Sequence, residues 1–303
     1  VGLDVFGVGE HHTRGMPVSS PTSIINAAAA STERIILSTT VNVLSTDDPI
    51  RVFQQLATAS AVAPDRVEVV AGRGSSSITF PLFDVDEGDY DMLLLSKLDL
   101  LTELNRRDQV TWSGPHRRRP LRQATIVPRP DAPLPIWLGT GGSPASVLRA
   151  VELGLPMFLG ILSGSPEYWA RYGDAYRSAW REARTTDPAD IAVATHGFVA
   201  DDDTVAKETY LWYEHRMFAE ATAELGRVAP QPEARADQYG PDGMVFVGAP
   251  DQIVSRILHL HDVLGHSRHI IQMDVGGMPQ RDVLRSIELL GAEVLPRIRE
   301  GTA

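Results

Sequence analysis

Short runs of β-branched and aromatic residues alternate along the chain with longer stretches whose apolar residues recur at helical spacing. The runs are VFGVG (5–9), RIILSTTVNVL (34–44), RVEVVAGRG (66–74), PIWLGTG (135–141), PMFLGIL (156–162), IAVATHGFVA (191–200) and HIIQMDVGG (269–277). Each is predicted to be a strand. SPTSIINAAAASTE (20–33) and DPIRVFQQLATASAVA (48–63) open on Ser-Pro and Asp-Pro, residue pairs that start helices. YDMLLLSKLDLLTEL (90–104) has helical spacing, and SPASVLRAVELG (143–154) runs from Ser-Pro to a terminating glycine. Further helices are expected over about 166–184, 203–225 and 279–300.

Strand–helix–strand alternation means parallel strands joined by crossovers, and nearly continuous apolar strands mean burial on both faces. A doubly wound open sheet and a (β/α)8 barrel both meet those conditions. Polar clusters follow strand after strand, not only one or two, and that favours the α/β class (β/α)8 TIM barrel. Counting eight strands leaves the first one absent, in keeping with a start at Val1, and any leader would be absent with it. The whole chain, 1–303, is read as one barrel domain. Insertions are expected after barrel strand 4 (110–130) and after barrel strand 7. The second holds GRVAPQPEARADQYGPDG (226–243) and reads as an exposed loop or mobile lid.

Composition narrows the partners. Net charge is -11, which argues against nucleic acid or an anionic membrane surface as partner. No apolar run approaches the roughly 20 residues that span a bilayer, and with no signal-like leader in the sequence a cytoplasmic location is the expectation. With no cysteine in the sequence, disulfides, thiolate metal sites and cysteine nucleophiles are excluded together. The basic cluster HRRRPLR (116–122) reads as a solvated hairpin, with an anionic-substrate entrance as the other reading.

Chemistry in a barrel sits at the carboxyl ends of the strands. There the sequence places Glu10, His11 and His12; Thr40 to Asn42; Arg73 with Gly74; GTGGSPAS (139–146); and His196. In GTGGSPAS, glycines before a helix start let backbone N–H groups approach an anion, and Ser143 and Ser146 add hydroxyls. A merely capped helix after a tight turn explains the same residues without a ligand. Arg73 can fork onto a phosphate, or pair with a loop carboxylate. Adjacent residues on an extended segment point oppositely, so His11 and His12 are not expected to grip one metal. A histidine at a barrel mouth suits proton handling, and a polar loop residue bonded to Glu10 is the plainer alternative.

GLDVFGVGEHH, then TERIILSTTVNVLSTDDPIRVFQQLATASAVAPDRVEVVAGRG, then GLPM after GTGGSPAS, resemble the bacterial luciferase-like monooxygenase family. VGAPDQIVSRIL (247–258) and QMDVGGMP (272–279) are similar to its C-terminal part. The resemblance implies a barrel that binds FMN, or in a sister branch the deazaflavin F420, and an oxidoreductase acting on a small organic substrate with O2. It implies a separate reductase supplying reduced flavin, and a homodimer. Residue by residue, His11 matches the first histidine of the family's Glu-His-His motif, a catalytic group. Arg73 matches a flavin-phosphate ligand; Gly141, Gly142, Ser143 and Ser146 match the phosphate loop; Thr40 and Val41 fall where members hold a non-proline cis peptide beneath the flavin ring. APDR departs from the family's usual small-residue–Gly–Arg stretch, and Gly72 stands where bacterial luciferase has a reactive cysteine. Light emission is therefore not implied. An F420-dependent hydride-transfer enzyme, a flavin-binding protein without turnover and a metal-dependent barrel hydrolase are the rival readings.

Overall fold

All seven β-branched runs form strands, and the two insertions fall where the sequence puts them. The computed structural model describes residues 1–74, 79–183, 187–224, 226, 228–229 and 231–302. They form two units. One is Asp4–His12 with Pro17–Gly139; the other is Val1–Leu3, Thr13–Met16 and Thr140–Ala303.

In the first unit β1 (Val5–Val8), β2 (Ile36–Val43), β3 (Val67–Gly72) and β6 (Ile136–Thr140) pair in parallel in that order. All of β3 is buried, as expected of a strand covered on both faces. Helices α1 (Pro21–Ser31) and α2 (Pro49–Val62) follow β1 and β2, and Asn26 of α1 donates to the carbonyl of Gln55 in α2 at 3.1 Å. Asp48 caps α2 by accepting from the amides of Ile50 and Arg51. Ser20 does not cap α1; its hydroxyl is instead bonded to that of Ser23 at 2.7 Å. After β3 come α3 (Thr79–Leu82), α4 (Tyr90–Arg106) and an antiparallel hairpin of β4 (Gln109–Trp112) and β5 (Leu121–Thr125). That hairpin is the expected first insertion, and Arg118, Arg119 and Arg122 are exposed on it.

In the second unit β7 (Met157–Ile161), β8 (Ile191–Val199) and β10 (Arg268–Gln272) are parallel neighbours. Helices α5 (Pro144–Leu153), α6 (Pro166–Glu182) and α7 (Asp203–Glu224) alternate with the strands, and α9 (Gln280–Leu289), a π turn and α10 (Leu295–Gly301) close the chain. Two elements go beyond the predicted set: β9 (Phe246–Gly248), paired with the end of β8, and α8 (Pro250–Leu264). Three residues are too few for β9 to show a period, whereas α8 carries its Pro at the start and Gly265 just past its end.

The segment read as an exposed loop is corrected in part. Residues Pro232–Tyr239 form a 3-10 helix whose Tyr239 is buried. Arg235 reaches Glu214 of α7 and the carbonyl of Leu162, and the Gln238 side chain accepts from the Gly164 amide at 3.1 Å. Three polar side chains thus anchor a strap that its Pro, Gly and charge content made look solvated. Residues 227 and 230 of that segment lie outside the described ones.

Beside the strap's unit core lie three histidines with touching rings, His261, His266 and His269. Burial, and then the charge of His261, pulls His266 down to about 4; burial likewise holds His269 well below its ordinary value. The folded chain keeps the His266 and His269 rings neutral, while the unfolded chain protonates both near pH 6.5. Stability is therefore complete above pH 6.5 and falls as pH drops toward 4, because the unfolded state binds more protons there. His266→Phe is expected to flatten this fall. Melting temperatures of the two proteins between pH 7 and pH 4 check it, and parallel curves would refute it.

Candidate active site

Register decides which residues share an end of the first unit's sheet. Val8 pairs with Thr39 and Val43 with Gly72, so Gly9–His12, Thr40–Asn42 and Arg73 all lie at the carboxyl rim of β1, β2 and β3. There the Thr40–Val41 peptide is cis, and the β2–β3 register shifts between Thr40 and Asn42.

The strands around that peptide are glycine where they meet it. A Cβ on Gly7 would stand 2.8 Å from Thr40 Oγ1; one on Gly72 would stand 2.7 Å from Val41 Cγ2, and one on Gly139 2.7 Å from Val41 Cγ1. No real side chain occupies such distances. Glycine on three neighbouring strands is thus what lets Thr40 and Val41 lie between them.

Glu10 ties the rim together. Its buried carboxylate accepts from the Val43 amide at 2.8 Å, from Asn42 Nδ2 at 3.1 Å, and meets His12 Nε2 at 3.0 Å. Burial raises the Glu10 carboxyl above the ordinary range, against the pull of the Val43 and His12 bonds. The two histidines diverge as adjacent extended residues should. His12 packs edge-on to Phe83 and belongs to the Glu10 bond. His11 Nε2 lies 3.9 Å from where a Gly9 Cβ would stand, on the side where the Thr40 carbonyl is 3.4 Å from that same point. His11 Nε2 and the Thr40 carbonyl thus both approach the space beside Gly9.

Arg73 is exposed and donates to the Tyr90 hydroxyl, with its guanidinium 4.8 Å from the centre of that ring. Tyr90 is stacked in turn on Phe80. Among the described residues no carboxylate pairs with Arg73.

The Gly–Ser turn belongs to the second unit and is more self-contained than its sequence suggests. Ser143 and Ser146 form a reciprocal capping box at the start of α5, with each backbone amide bonded to the other's hydroxyl at 3.1 and 3.2 Å. Gly142 sits at φ +74, where a Cβ would stand 2.2 Å from the Trp169 ring. Its glycine serves ring packing as well as the turn. Gly141 is exposed, and a Cβ there would meet nothing within 4 Å.

One cluster escaped sequence reasoning. His196 on β8 faces Glu214 of α7, whose carboxylate takes two bonds of 3.0 Å from Arg235 and one from the Tyr239 hydroxyl. Burial alone would raise Glu214, but contacts with His196, Arg235 and Tyr239 outweigh it and hold the carboxyl at about 2. The sequence flagged only His196, because Glu214 comes from α7 and Arg235 and Tyr239 from the 232–239 segment, with no motif linking them.

A family model for the luciferase-like monooxygenases matches residues 1–267. The chain is 27% identical to an F420-dependent glucose-6-phosphate dehydrogenase of Microbacterium testaceum, over 91% of this chain and 82% of that one. Among solved structures it is similar to monooxygenase RslO1 of Streptomyces bottropensis, with TM-score 0.82 and 21% identity over 97% of this chain and 88% of that one. It is also similar to the FMN complex of the oxygenating constituent of 3,6-diketocamphane monooxygenase from Pseudomonas putida, with TM-score 0.76 and 19% identity over 98% and 89%. Parallel strands, alternating helices and a rim of polar groups at the strand ends define an α/β enzyme of the TIM-barrel class. The chain belongs to the luciferase-like monooxygenase family, which includes FMN-dependent monooxygenases and F420-dependent oxidoreductases. No helix among the described residues is long and apolar enough to cross a membrane.

Close approach at Val41 gives a direct check. Gly72→Ala is expected to destabilise the chain by about 1–3 kcal/mol through overpacking. Val41→Ala in the same chain should return part of that loss, since it removes the methyls in the way. Denaturant midpoints of the two single variants and the double variant measure it; simple additivity would count against the contact. Removing the Glu10 carboxylate with Glu10→Ala leaves the Val43 N–H without its acceptor and the Asn42 amide with Asp47 alone. It should cost about 1–3 kcal/mol in the same assay.

Proposed function

We propose that the chain is a flavin-dependent oxidoreductase that uses reduced FMN and O2 on a small organic substrate in the cytoplasm. The carrying observation is that register brings His11, the Thr40–Val41 peptide and Arg73 to one rim of one parallel sheet. These residues suit a flavin: Arg73 presents a cation with no carboxylate partner among the described residues, and the Thr40–Val41 peptide offers a backbone surface beside an imidazole. In this reading Arg73 holds a cofactor phosphate, and Thr40 with Val41 supports the ring. Gly141, Gly142, Ser143 and Ser146 keep the phosphate-loop role carried over from the family. The capping box means that Ser143 and Ser146 would exchange internal bonds for ligand bonds.

Reduced flavin, when bound, supplies the electrons that O2 chemistry requires. His11 Nε2 would give or take a proton at the reacting oxygen. Anchoring a remote phosphate lets binding energy orient the reacting end. A separate flavin reductase and a homodimer complete the reading. The F420-dependent relative favours a second reading, hydride transfer with F420. Parallel titrations with FMN and F420, followed by fluorescence, separate the two; tighter F420 binding would overturn the first.

His11→Ala is expected to leave FMN affinity nearly unchanged while turnover falls about 10²–10⁴-fold, the usual worth of a positioned acid or base. His12→Ala should lower the melting temperature through the lost Glu10 contact and change turnover far less. Oxygen consumption with reduced flavin over a panel of substrates reads the first effect. Equal losses in both variants with weakened FMN binding would mean that the histidine pair is structural.

A further inference from the structure

His196 is buried, 8% exposed, yet its Nδ1 has no hydrogen-bond partner; Glu214 Oε1 lies 3.7 Å away, at ion-pair range. Nε2 makes no bond among the described residues either. A buried polar atom without a partner costs about 1–3 kcal/mol, so such atoms call for an explanation. Thr195, one residue earlier, turns its hydroxyl the other way, to His269 at 2.9 Å. Successive strand residues face opposite sides, which puts His196 on the face it shares with its register partner Gln272. Gln272 reaches Met16 on that face, and β7 ends at Ile161, level with Thr195. His196 therefore stands at the carboxyl rim of the second unit's parallel strands, the end where such folds do their chemistry.

Glu214 accounts for the ring's orientation but not for its purpose. Arg235 and Tyr239 satisfy the carboxylate, so strap anchoring needs nothing from His196. A charged carboxylate facing Nδ1 favours the tautomer with the proton on Nδ1 and leaves the Nε2 lone pair as an acceptor. An acceptor of that kind recognises a hydroxyl. Tyr210, fully buried with an unpartnered hydroxyl, interacts with Glu214, and Asp274, whose carboxyl burial raises, interacts with His196.

We propose that His196 binds the hydroxyl of an alcohol or phenol through Nε2, and that Glu214, clamped by Arg235 and Tyr239, is the residue that positions it. This names the substrate class of the oxidoreductase reading and rests on that reading for the reaction. With an acidic phenol the O–H bond breaks and its proton passes to Nε2. The electron pair stays on oxygen, and Glu214 balances the imidazolium that forms.

The test titrates the full chain at fixed neutral pH with 4-nitrophenol and with 4-nitroanisole, whose hydroxyl is blocked. Nitrophenol is expected to bind at least tenfold tighter and to gain its visible phenolate band on binding. His196→Leu should weaken nitrophenol at least tenfold and leave nitroanisole unchanged. Glu214→Gln should suppress the growth of the band. Should Glu214→Gln fail to fold by circular dichroism, the comparison of the two probes and the His196→Leu variant decide alone. Equal affinity for both probes, no binding of nitrophenol, or an unchanged His196→Leu variant would overturn the proposal. FMN titration of the same samples separates the two claims. Loss of FMN binding with nitrophenol binding intact removes the flavin reading alone, and the reverse removes this subsite alone.

Discussion

Three strands can close around Thr40 and Val41 only because each presents a hydrogen where other residues carry a carbon. With Cβ positions 2.7–2.8 Å from Thr40 and Val41 side-chain atoms, alanine at residues 7, 72 or 139 would have to push the strand away. Much of the first unit's rim inherits its geometry from that approach. Where the β2–β3 register shifts at Thr40–Asn42, the amide of Val43 comes within reach of Glu10. Glu10 then fixes His12, and the chain direction between them leaves His11 on the other side. A packing constraint in the sheet thus becomes the placement of a titratable ring.

The second unit uses charge where the first uses close approach. A buried carboxylate without partners would be untenable, and Glu214 is kept only by a forked arginine and a tyrosine hydroxyl. Replacing such a group by an apolar residue of similar volume is often neutral or stabilising in folded proteins, so stability alone does not account for it.

Strands with nearly continuous apolar runs, such as VEVVAG, were legible because burial on both faces leaves no other pattern. Helices starting with Asp-Pro or Ser-Pro were legible for a local reason, although Ser20 shows that the pair can start a helix without its side chain capping it. Among site residues, the opposed directions of His11 and His12 followed from the two-residue period of extended chain. The Gly–Ser turn was recognised, but not that Gly142 makes room for Trp169, which lies 27 residues further on and on another helix. Likewise the strap over 232–239 looked polar because its anchors, Glu214, Leu162 and Gly164, lie outside it. Composition describes a segment's own side chains, whereas order depends on what they meet.

That strap has a thermodynamic character distinct from a lid hinged on flexible ends. Arg235 and Glu214 are 21 positions apart in one chain, so their pairing is unimolecular and proceeds at an effective concentration on the order of millimolar. Attraction far too weak to hold two separate molecules suffices at such a concentration. Closure of the strap is then independent of how dilute the protein is. Its opening would break these polar bonds and also draw Tyr239 out of the core it shares with Tyr210, Val245 and Val247.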